Sequence, residues 1–429
     1  MRAIVVIAVV FHILLVAGAA FGWFDAFFHG PYHTMQPGLD LHAVYDAGKD
    51  LLEGKPIYRL PPYEKDYTPF RYLPIAAVPG MALSLLRFDT AYIVWFILLE
   101  LLMLMNLAHL RTALISDEDF LVAVCMYLFF TPFYVELFMG QYSLIQATFI
   151  LFFFTSLYSF RAGAYGYWVA SALWKLNTFL ALPALIRFRK FRPIYWAIGL
   201  AAISLVIYGL IIGSNVWNFF IINFRVPAIY QEGNLGLRMF WDSIILHVFR
   251  LGHPAEGGGT YELSTGGEVL SALLPIFILI ICLHALFFAH KGNFIDLVAL
   301  WITSYFLLYT DIWEHHYMML LPILVLQYAH KRWPLILICY LFIALPTPFS
   351  LIKDIPVIYI PGAVGTPPVW AVLLHHATKS IPTLVFFITL WRHIITYKPE
   401  FKTPGFGADW SDYVTRDLAK SYRKTNGRG

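Results

Sequence analysis

Two charged residues at the ends of apolar segments have side chains suited to chemistry at a membrane surface. Asp40 begins an amphipathic segment, and Lys175 interrupts a long apolar stretch. A carboxylate can act as a general base that removes a proton from an attacking hydroxyl. An ammonium group at membrane depth is costly and marks a candidate functional site. Together these residues predict a site that combines a base with a cation able to bind phosphate.

Both residues also have a purely structural interpretation. Asp40 stands where aspartate commonly caps the N-terminus of a helix. Lys175 could extend its side chain so that the ammonium reaches the membrane surface. Asp46, six residues after Asp40, falls on a different helix face and is a weaker candidate for the base. The sequence alone leaves these alternatives open.

Histidines form a second group of candidates. Residues 309–317 place two acids and two histidines at a predicted helix junction. His315 and His316 are adjacent and diverge on a helix, so hydrogen bonding to a phosphate or a sugar is favoured over metal binding. Gly140 and Gln141 mark another junction, which is either a turn or a ligand contact. We predict that residues 375–376, also histidines, lie at the membrane interface.

The composition of the chain indicates a membrane protein. Of its 429 residues, 59% are hydrophobic and 13% are charged, whereas soluble domains carry about 25% charged residues. The net charge of +4 is too small to indicate a nucleic-acid partner. Cys125, Cys282 and Cys339 lie in apolar segments without metal-ligand spacing, so neither a disulfide framework nor a zinc site is predicted.

Recurrent apolar segments predict an all-α, polytopic fold with about twelve transmembrane helices. The first segment is also compatible with a cleaved signal peptide, although its length favours a first span. Residues 163–175 and 178–187 are too short to cross alone and must bury their ends in protein or in a water-filled cavity. The predicted spans are residues 3–24, 90–110, 120–139, 141–160, 163–175, 178–187, 194–213, 269–290, 294–310, 316–329, 334–350 and 369–392.

Lysine and arginine residues set the predicted orientation. Basic clusters, including residues 187–192 and 331–332, all fall on one side of the twelve-span arrangement, and this side is predicted to be cytoplasmic together with both termini. The protein is accordingly expected in the inner or plasma membrane. We predict a transmembrane domain at residues 1–395 and a cytoplasmic tail at residues 396–429.

The first outer segment, residues 25–89, is predicted to contain two helices that do not cross the membrane. Residues 40–53 alternate apolar and charged side chains as a surface helix does. Residues 72–86 are apolar but short and contain Pro74 and Pro79. A crossing there would move the following basic clusters to the opposite side, so this segment is predicted to lie at the outer face.

Short motifs in this outer segment match a known family in order and spacing. They resemble the first outer loop of glycosyltransferase family 87, whose members are polyprenyl-phosphate-sugar-dependent transferases of the GT-C superfamily. The matching residues there are Gly38, Leu39, Asp40, Tyr45, Ala47, Leu51, Gly54, Pro56, Tyr58, Phe70, Tyr72 and Pro74. Further matches are Gly140, Gln141, Gly166, Lys175, Pro183 and the segments 187–192 and 313–317, so the resemblance covers about residues 3–330.

This resemblance implies a GT-C fold and an inverting transfer of a hexose from polyprenyl phosphate to a lipid or glycan acceptor, with mannose the expected sugar. It implies that Asp40 is the base. The residues expected to contact the donor are Lys175, His315, His316, Gln141, Arg71 and Arg87. No metal or other cofactor is expected, because a phosphate is already a good leaving group. The expected partners are the donor, the acceptor and membrane lipids.

Two other functions remain open at this point. A transporter or flippase often has about twelve helices, but transporters commonly consist of two similar halves, and no such repeat is visible in the sequence. A GT-C ligase that moves a whole glycan is the other alternative. The long, acid-rich first outer segment favours transfer of a single sugar over transfer of a glycan.

Overall fold

The computed structural model describes residues 1–23, 37–60, 68–114, 116–159, 161, 163–213, 216–224, 234–254, 261–346 and 369–397. This part of the chain is mostly helical and contains one two-stranded antiparallel hairpin. Most of the predicted tail, from residue 398 onward, lies outside the described residues.

The first part of the chain contains eleven helices that we number in order. They are α1 (Arg2–Ala20), α2 (Leu41–Leu52), α3 (Val78–Leu83), α4 (Phe88–Ala113), α5 (Asp117–Leu128), α6 (Thr131–Met139), α7 (Ser143–Tyr158), α8 (Ala164–Trp174), α9 (Leu182–Arg187), α10 (Phe191–Ile212) and α11 (Trp217–Phe224). Short 3₁₀ helices at Pro74–Ala77 and Leu176–Ala181 lead into α3 and α9.

The second part begins with α12 (Leu237–His247) and the hairpin of β1 (Gly252–Pro254) and β2 (Tyr261–Leu263). The remaining helices are α13 (Thr265–Phe288), α14 (Phe294–Thr303), α15 (Tyr305–Leu308), α16 (Leu321–Lys331), α17 (Pro334–Ala344) and α18 (Val369–Thr396). Two 3₁₀ helices, Lys291–Asn293 and Glu314–Met319, precede α14 and α16.

The chain is an all-α membrane protein. Five described helices, α1, α4, α10, α13 and α18, are long and apolar enough to cross a membrane. Helices α5 and α6 form a sixth such segment if a 46° bend between them is counted as part of one span. Each of the twelve predicted segments contains helix, but the others are short or broken, so the number of crossings stays a prediction.

Burial separates these helices into two layers. Most side chains of α1, α4, α10 and α13 face outward and are apolar, which suits contact with lipid. Helices α14, α16 and most of α7 are buried inside this outer layer. The inner helices are therefore shielded from lipid and can carry polar side chains that face one another.

The bend between α5 and α6 differs from the single helix predicted at residues 120–139. Pro132 lies in the first turn of α6. Proline lacks a backbone N–H and restricts the preceding residue, so a helix commonly ends before it. The bend redirects α6, and its last turn points toward the beginning of α2.

Helices α2 and α3 form where the sequence predicts two short helices. Leu41, Val44 and Ala47 are the buried side of α2. A Cβ atom on Gly48 would lie 2.0 Å from the carbonyl carbon of Gly80, so the two backbones touch and only glycine fits. The segment from Pro74 to Leu83 is too short to cross a membrane on its own.

Candidate active site

The turn that precedes α2 is fixed to the C-terminal end of α6. The backbone N–H of Gly38 donates to Phe138 O at 2.8 Å, and that of Asp40 donates to Met139 O at 2.9 Å. Gly140 ends α6 in the left-handed conformation, with φ of +68°. A Cβ atom there would lie 2.8 Å from the Cβ of Leu41. This close approach explains how the Gly140–Gln141 junction and Asp40 come together.

The side chain of Asp40 does not cap α2. The residue occupies the N-cap position, but its carboxylate makes no capping hydrogen bond, so the structural alternative is wrong. Its Oδ2 atom is buried and has no hydrogen-bond partner among the described residues. Burial raises the pKa of Asp40 to about 6, while a hydrogen bond from Gln141 and the charge of Lys175 act in the opposite direction.

Lys175 lies in extended backbone between α8 and the following 3₁₀ helix. Its side chain is buried, with 6% of the residue exposed, so it does not reach the membrane surface. The Nζ atom donates to Ser143 Oγ at 3.1 Å and lies 5.8 Å and 5.5 Å from the ring centroids of Tyr72 and Tyr142. Lys175 therefore points toward the beginning of α7 and toward the segment before α3.

The helix is interrupted at Lys175, and side chains form hydrogen bonds with backbone groups at this interruption. Gln146 donates to the carbonyl oxygen of Lys175 at 3.1 Å and to Asn177 Oδ1 at 2.5 Å. Trp168 Nε1 donates to Thr178 O at 3.1 Å. Broken helices at membrane depth require such partners, and here they fix the backbone that carries the ammonium group.

The predicted histidine segment forms the 3₁₀ helix Glu314–Met319, and both histidines are buried. His316 Nδ1 accepts the N–H of Trp313 at 2.9 Å. Neither ring nitrogen of His315 has a hydrogen-bond partner among the described residues. Both imidazoles lie within electrostatic range of Lys175. His315 thus presents unused hydrogen-bonding groups close to the lysine.

One predicted arginine joins this cluster and the other does not. Arg71 Nη1 lies 3.8 Å from Asp311 Oδ2. Asp311 also accepts a hydrogen bond from Trp313 Nε1 at 2.6 Å and lies within electrostatic range of Asp40. The side chain of Arg87 is 89% exposed, and its ion pair, at 3.9 Å, is with the neighbouring residue Asp89. The structure does not bring Arg87 to the other candidates.

Glu136 belongs to the site, although the sequence analysis did not single it out. It is fully buried, its Oε1 accepts the N–H of Leu144 at 2.5 Å, and its Oε2 has no partner among the described residues. It lies within electrostatic range of Lys175 and Asp40. The available signal was a single carboxylate in an otherwise apolar segment, which marks a functional candidate in a membrane protein.

Aromatic rings flank the charged groups. Tyr72 and Tyr142 pack edge to face with ring centroids 4.8 Å apart, and Tyr305 and Tyr309 stack at 5.2 Å. Ligand sites commonly combine such apolar walls with a few convergent polar groups. The described residues contain no group of three or more histidine, cysteine, aspartate or glutamate side chains arranged to hold a metal ion.

His375 and His376 lie elsewhere. Both are buried on α18, and their position at the membrane interface stays a prediction. The Nδ1 atom of His376 forms a hydrogen bond with Asn234 O at 2.5 Å, which joins α18 to the segment before α12. Their helix is apolar overall, but this side of it faces other protein segments.

No family model matches the chain, and no curated protein matches it. The resemblance to glycosyltransferase family 87 therefore rests on the short motifs and their order.

Proposed function

We propose that the chain is a GT-C-type membrane glycosyltransferase that moves a hexose, with mannose the expected sugar, from polyprenyl phosphate to a lipid or glycan acceptor. In this proposal the reaction takes place on the non-cytoplasmic face, and the basic clusters lie in the cytoplasm. The observation that carries the proposal is the carboxylate of Asp40. It has a buried oxygen without a partner among the described residues and lies within electrostatic range of Lys175.

Asp40 acts as the general base. The acceptor hydroxyl gives its proton to the carboxylate as its oxygen attacks the anomeric carbon. The bond between that carbon and the phosphate oxygen breaks, and the phosphate leaves with the bonding electrons. A single displacement of this kind inverts the anomeric configuration. A base works best when its pKa is near the operating pH, and burial raises the pKa of Asp40 to about 6.

Gln141 orients the base. Its side chain forms a hydrogen bond with the Asp40 carboxyl group. Its own Oε1 accepts the N–H of Tyr142 at 3.3 Å, which fixes the direction of the amide. One carboxylate oxygen is thereby held, and Oδ2 remains to accept the proton.

Cations and imidazoles bind the donor phosphate. Lys175 supplies a buried ammonium group that donates to the side chain of Ser143. Arg71 lies 3.8 Å from Asp311 Oδ2 and also contacts Tyr309, and in the proposal its guanidinium turns toward the incoming anion. His315 contributes a ring nitrogen that no described residue engages. Charge-assisted hydrogen bonds of this type are the strong ones in phosphate recognition.

Transfer of labelled sugar by the purified full-length protein in proteoliposomes tests this function. We expect labelled mannose to move from polyprenyl phosphate to a component of a membrane glycolipid extract, and we expect no transfer from a nucleotide sugar. A flipping assay with the same donor addresses the transporter alternative. Movement of intact donor across the bilayer without sugar transfer would contradict the proposal, and so would transfer from the nucleotide sugar.

A further inference from the structure

A long stretch of the chain carries basic residues and no acidic ones. Residues 137–231 include no aspartate or glutamate. The same stretch contains a dense group of cations, Arg187, Arg189, Lys190 and Arg192. The short loop between α9 and α10 therefore has no carboxylate to balance its charge, and neither α9 nor α10 carries one.

The fold adds a fifth cation from a distant part of the sequence. Lys291 begins the 3₁₀ helix that follows α13. Arg187 Nε donates to Leu286 O at 3.0 Å, which ties the end of α9 to the last turns of α13. Desolvation and the nearby charge of Arg189 both lower the pKa of Lys291. We call Arg187, Arg189, Lys190, Arg192 and Lys291 the basic patch.

Cations held together in this way are suited to binding an anion. None of the ion pairs among the described residues includes Arg189, Lys190 or Arg192. The ammonium of Lys190 lies 5.6 Å from the ring centroid of Tyr165, a contact that still leaves it able to bind an anion.

Apolar side chains continue from the basic patch along two candidate membrane spans. Phe287 on α13 is 77% exposed, and Phe191 at the start of α10 is also exposed. Both helices are long and apolar enough to cross a membrane. Basic groups placed beside lipid-facing helices in this way match the two parts of a phospholipid, whose phosphate headgroup adjoins its acyl chains.

We propose that the basic patch binds the headgroup of an anionic glycerophospholipid, with the acyl chains lying against α10 and α13. The site is separate from the candidate active site and does not depend on the proposed function. The chain's own tail is a poor occupant, because residues 398–429 carry seven basic and four acidic side chains. A segment with excess positive charge does not complement a positive patch.

Native mass spectrometry of the full-length protein, supplied with equal amounts of phosphatidylglycerol and phosphatidylcholine, tests the proposal. We expect the wild type to retain phosphatidylglycerol preferentially, even in an excess of inorganic phosphate. Each exposed cation near a membrane surface contributes about fivefold to binding of anionic lipid. The triple variant R189Q/K190Q/K291Q should then lose about a hundredfold in apparent affinity, and each single variant about fivefold.

A matched control removes three exposed cations from other segments. The variant K49Q/K55Q/R250Q changes the net charge equally and should retain phosphatidylglycerol as the wild type does. Equal retention of both lipids by the wild type would overturn the proposal. This result is also expected if the C-terminal tail, rather than a lipid, occupies the basic patch. Unchanged retention by the triple variant, or displacement of the lipid by inorganic phosphate, would overturn it as well. The single variants keep the test decisive if the triple variant does not fold.

Discussion

Replacement of Asp40 with asparagine separates catalysis from stability. The two side chains have nearly the same shape, and the amide of the asparagine could keep the contact with Gln141. Asparagine cannot accept the proton from the acceptor, and loss of a general base costs about 10²–10⁴ in rate. That range corresponds to about 3–5 kcal/mol in the activation free energy. We therefore expect Asp40→Asn to fold and insert normally and to lose nearly all transfer activity.

Asp40→Asn should raise the stability of the fold while it lowers the transfer activity. Burial raises the pKa of Asp40 from 3.8 to about 6, so the folded state holds this proton more tightly than the unfolded state does. Ionised Asp40 therefore destabilises the fold, by about 3 kcal/mol at most above pH 6. This penalty grows as the pH rises from about 4 to 6. Asp40→Asn removes it, so the variant should melt above the wild type at pH 7 and converge with it at pH 4.

The assay is transfer of labelled sugar from polyprenyl phosphate in proteoliposomes, measured between pH 5 and pH 8. The wild-type rate should fall as the pH decreases through about 6, because the base becomes protonated. The residual rate of Asp40→Asn should not show this dependence. Asp46→Asn is the control, since Asp46 pairs with His42 at 3.4 Å on the exposed side of α2. Turnover of Asp40→Asn near the wild-type level would remove the residue from the mechanism.

Three further substitutions test other parts of the structure. Lys175→Met should lower kcat/KM for the donor by about a hundredfold. Arg87→Gln changes an exposed side chain and should alter kcat/KM by less than about twofold. Equal losses for the two variants in a donor titration would contradict the role of Lys175 in donor binding. Lys379→Met should destabilise the fold by about 3–5 kcal/mol, because Glu314, which lies 3.2 Å from Lys379 Nζ, would stay buried without this cation. The double variant that also carries Glu314→Gln should regain most of the wild-type melting temperature. Gly48→Ala should lower the melting temperature, because the added Cβ would meet the backbone of α3. The control Gly166→Ala places its Cβ in open space and should leave the melting temperature unchanged or slightly raised. Similar effects of the two substitutions would refute the close packing of α2 on α3.

The apolar segments predicted the positions of the helices but not the points at which the helices end or bend. The amphipathic segment at residues 40–53 became α2 with its apolar side buried, because that pattern is local and strong. The apolar run at residues 120–139 gave no comparable signal for its bend, even though Pro132 was visible. A proline in the first turn of a helix and a proline inside one look alike in sequence.

The candidate site was predictable in its components and not in its contacts. Asp40 was selected as a carboxylate that begins an amphipathic segment, and Lys175 because a cation inside an apolar stretch is costly. Their proximity depends on Gly140, whose left-handed backbone lets the end of α6 touch the turn before α2. No spacing in the sequence reports such a contact between distant segments. Glu136 could have been selected as a single carboxylate in an apolar segment, but its contact with the other candidates could not.

In the proposed reaction, negative charge moves from the base to the leaving group. Before transfer, Asp40 is ionised and the donor phosphate carries one negative charge on its diester. After transfer, Asp40 holds the proton, and the released phosphate gains the second charge. The total negative charge in the site is therefore the same before and after transfer.

Lys175 is well suited to this displacement. Its ammonium lies within electrostatic range of Asp40 and also of Glu136, and in the proposal it contacts the phosphate. A cation between the base and the leaving group stabilises the negative charge at the beginning and at the end of the reaction, and a preorganised charge needs little rearrangement during the step. Glu136, with one oxygen held by the N–H of Leu144, lies within electrostatic range of the same ammonium group.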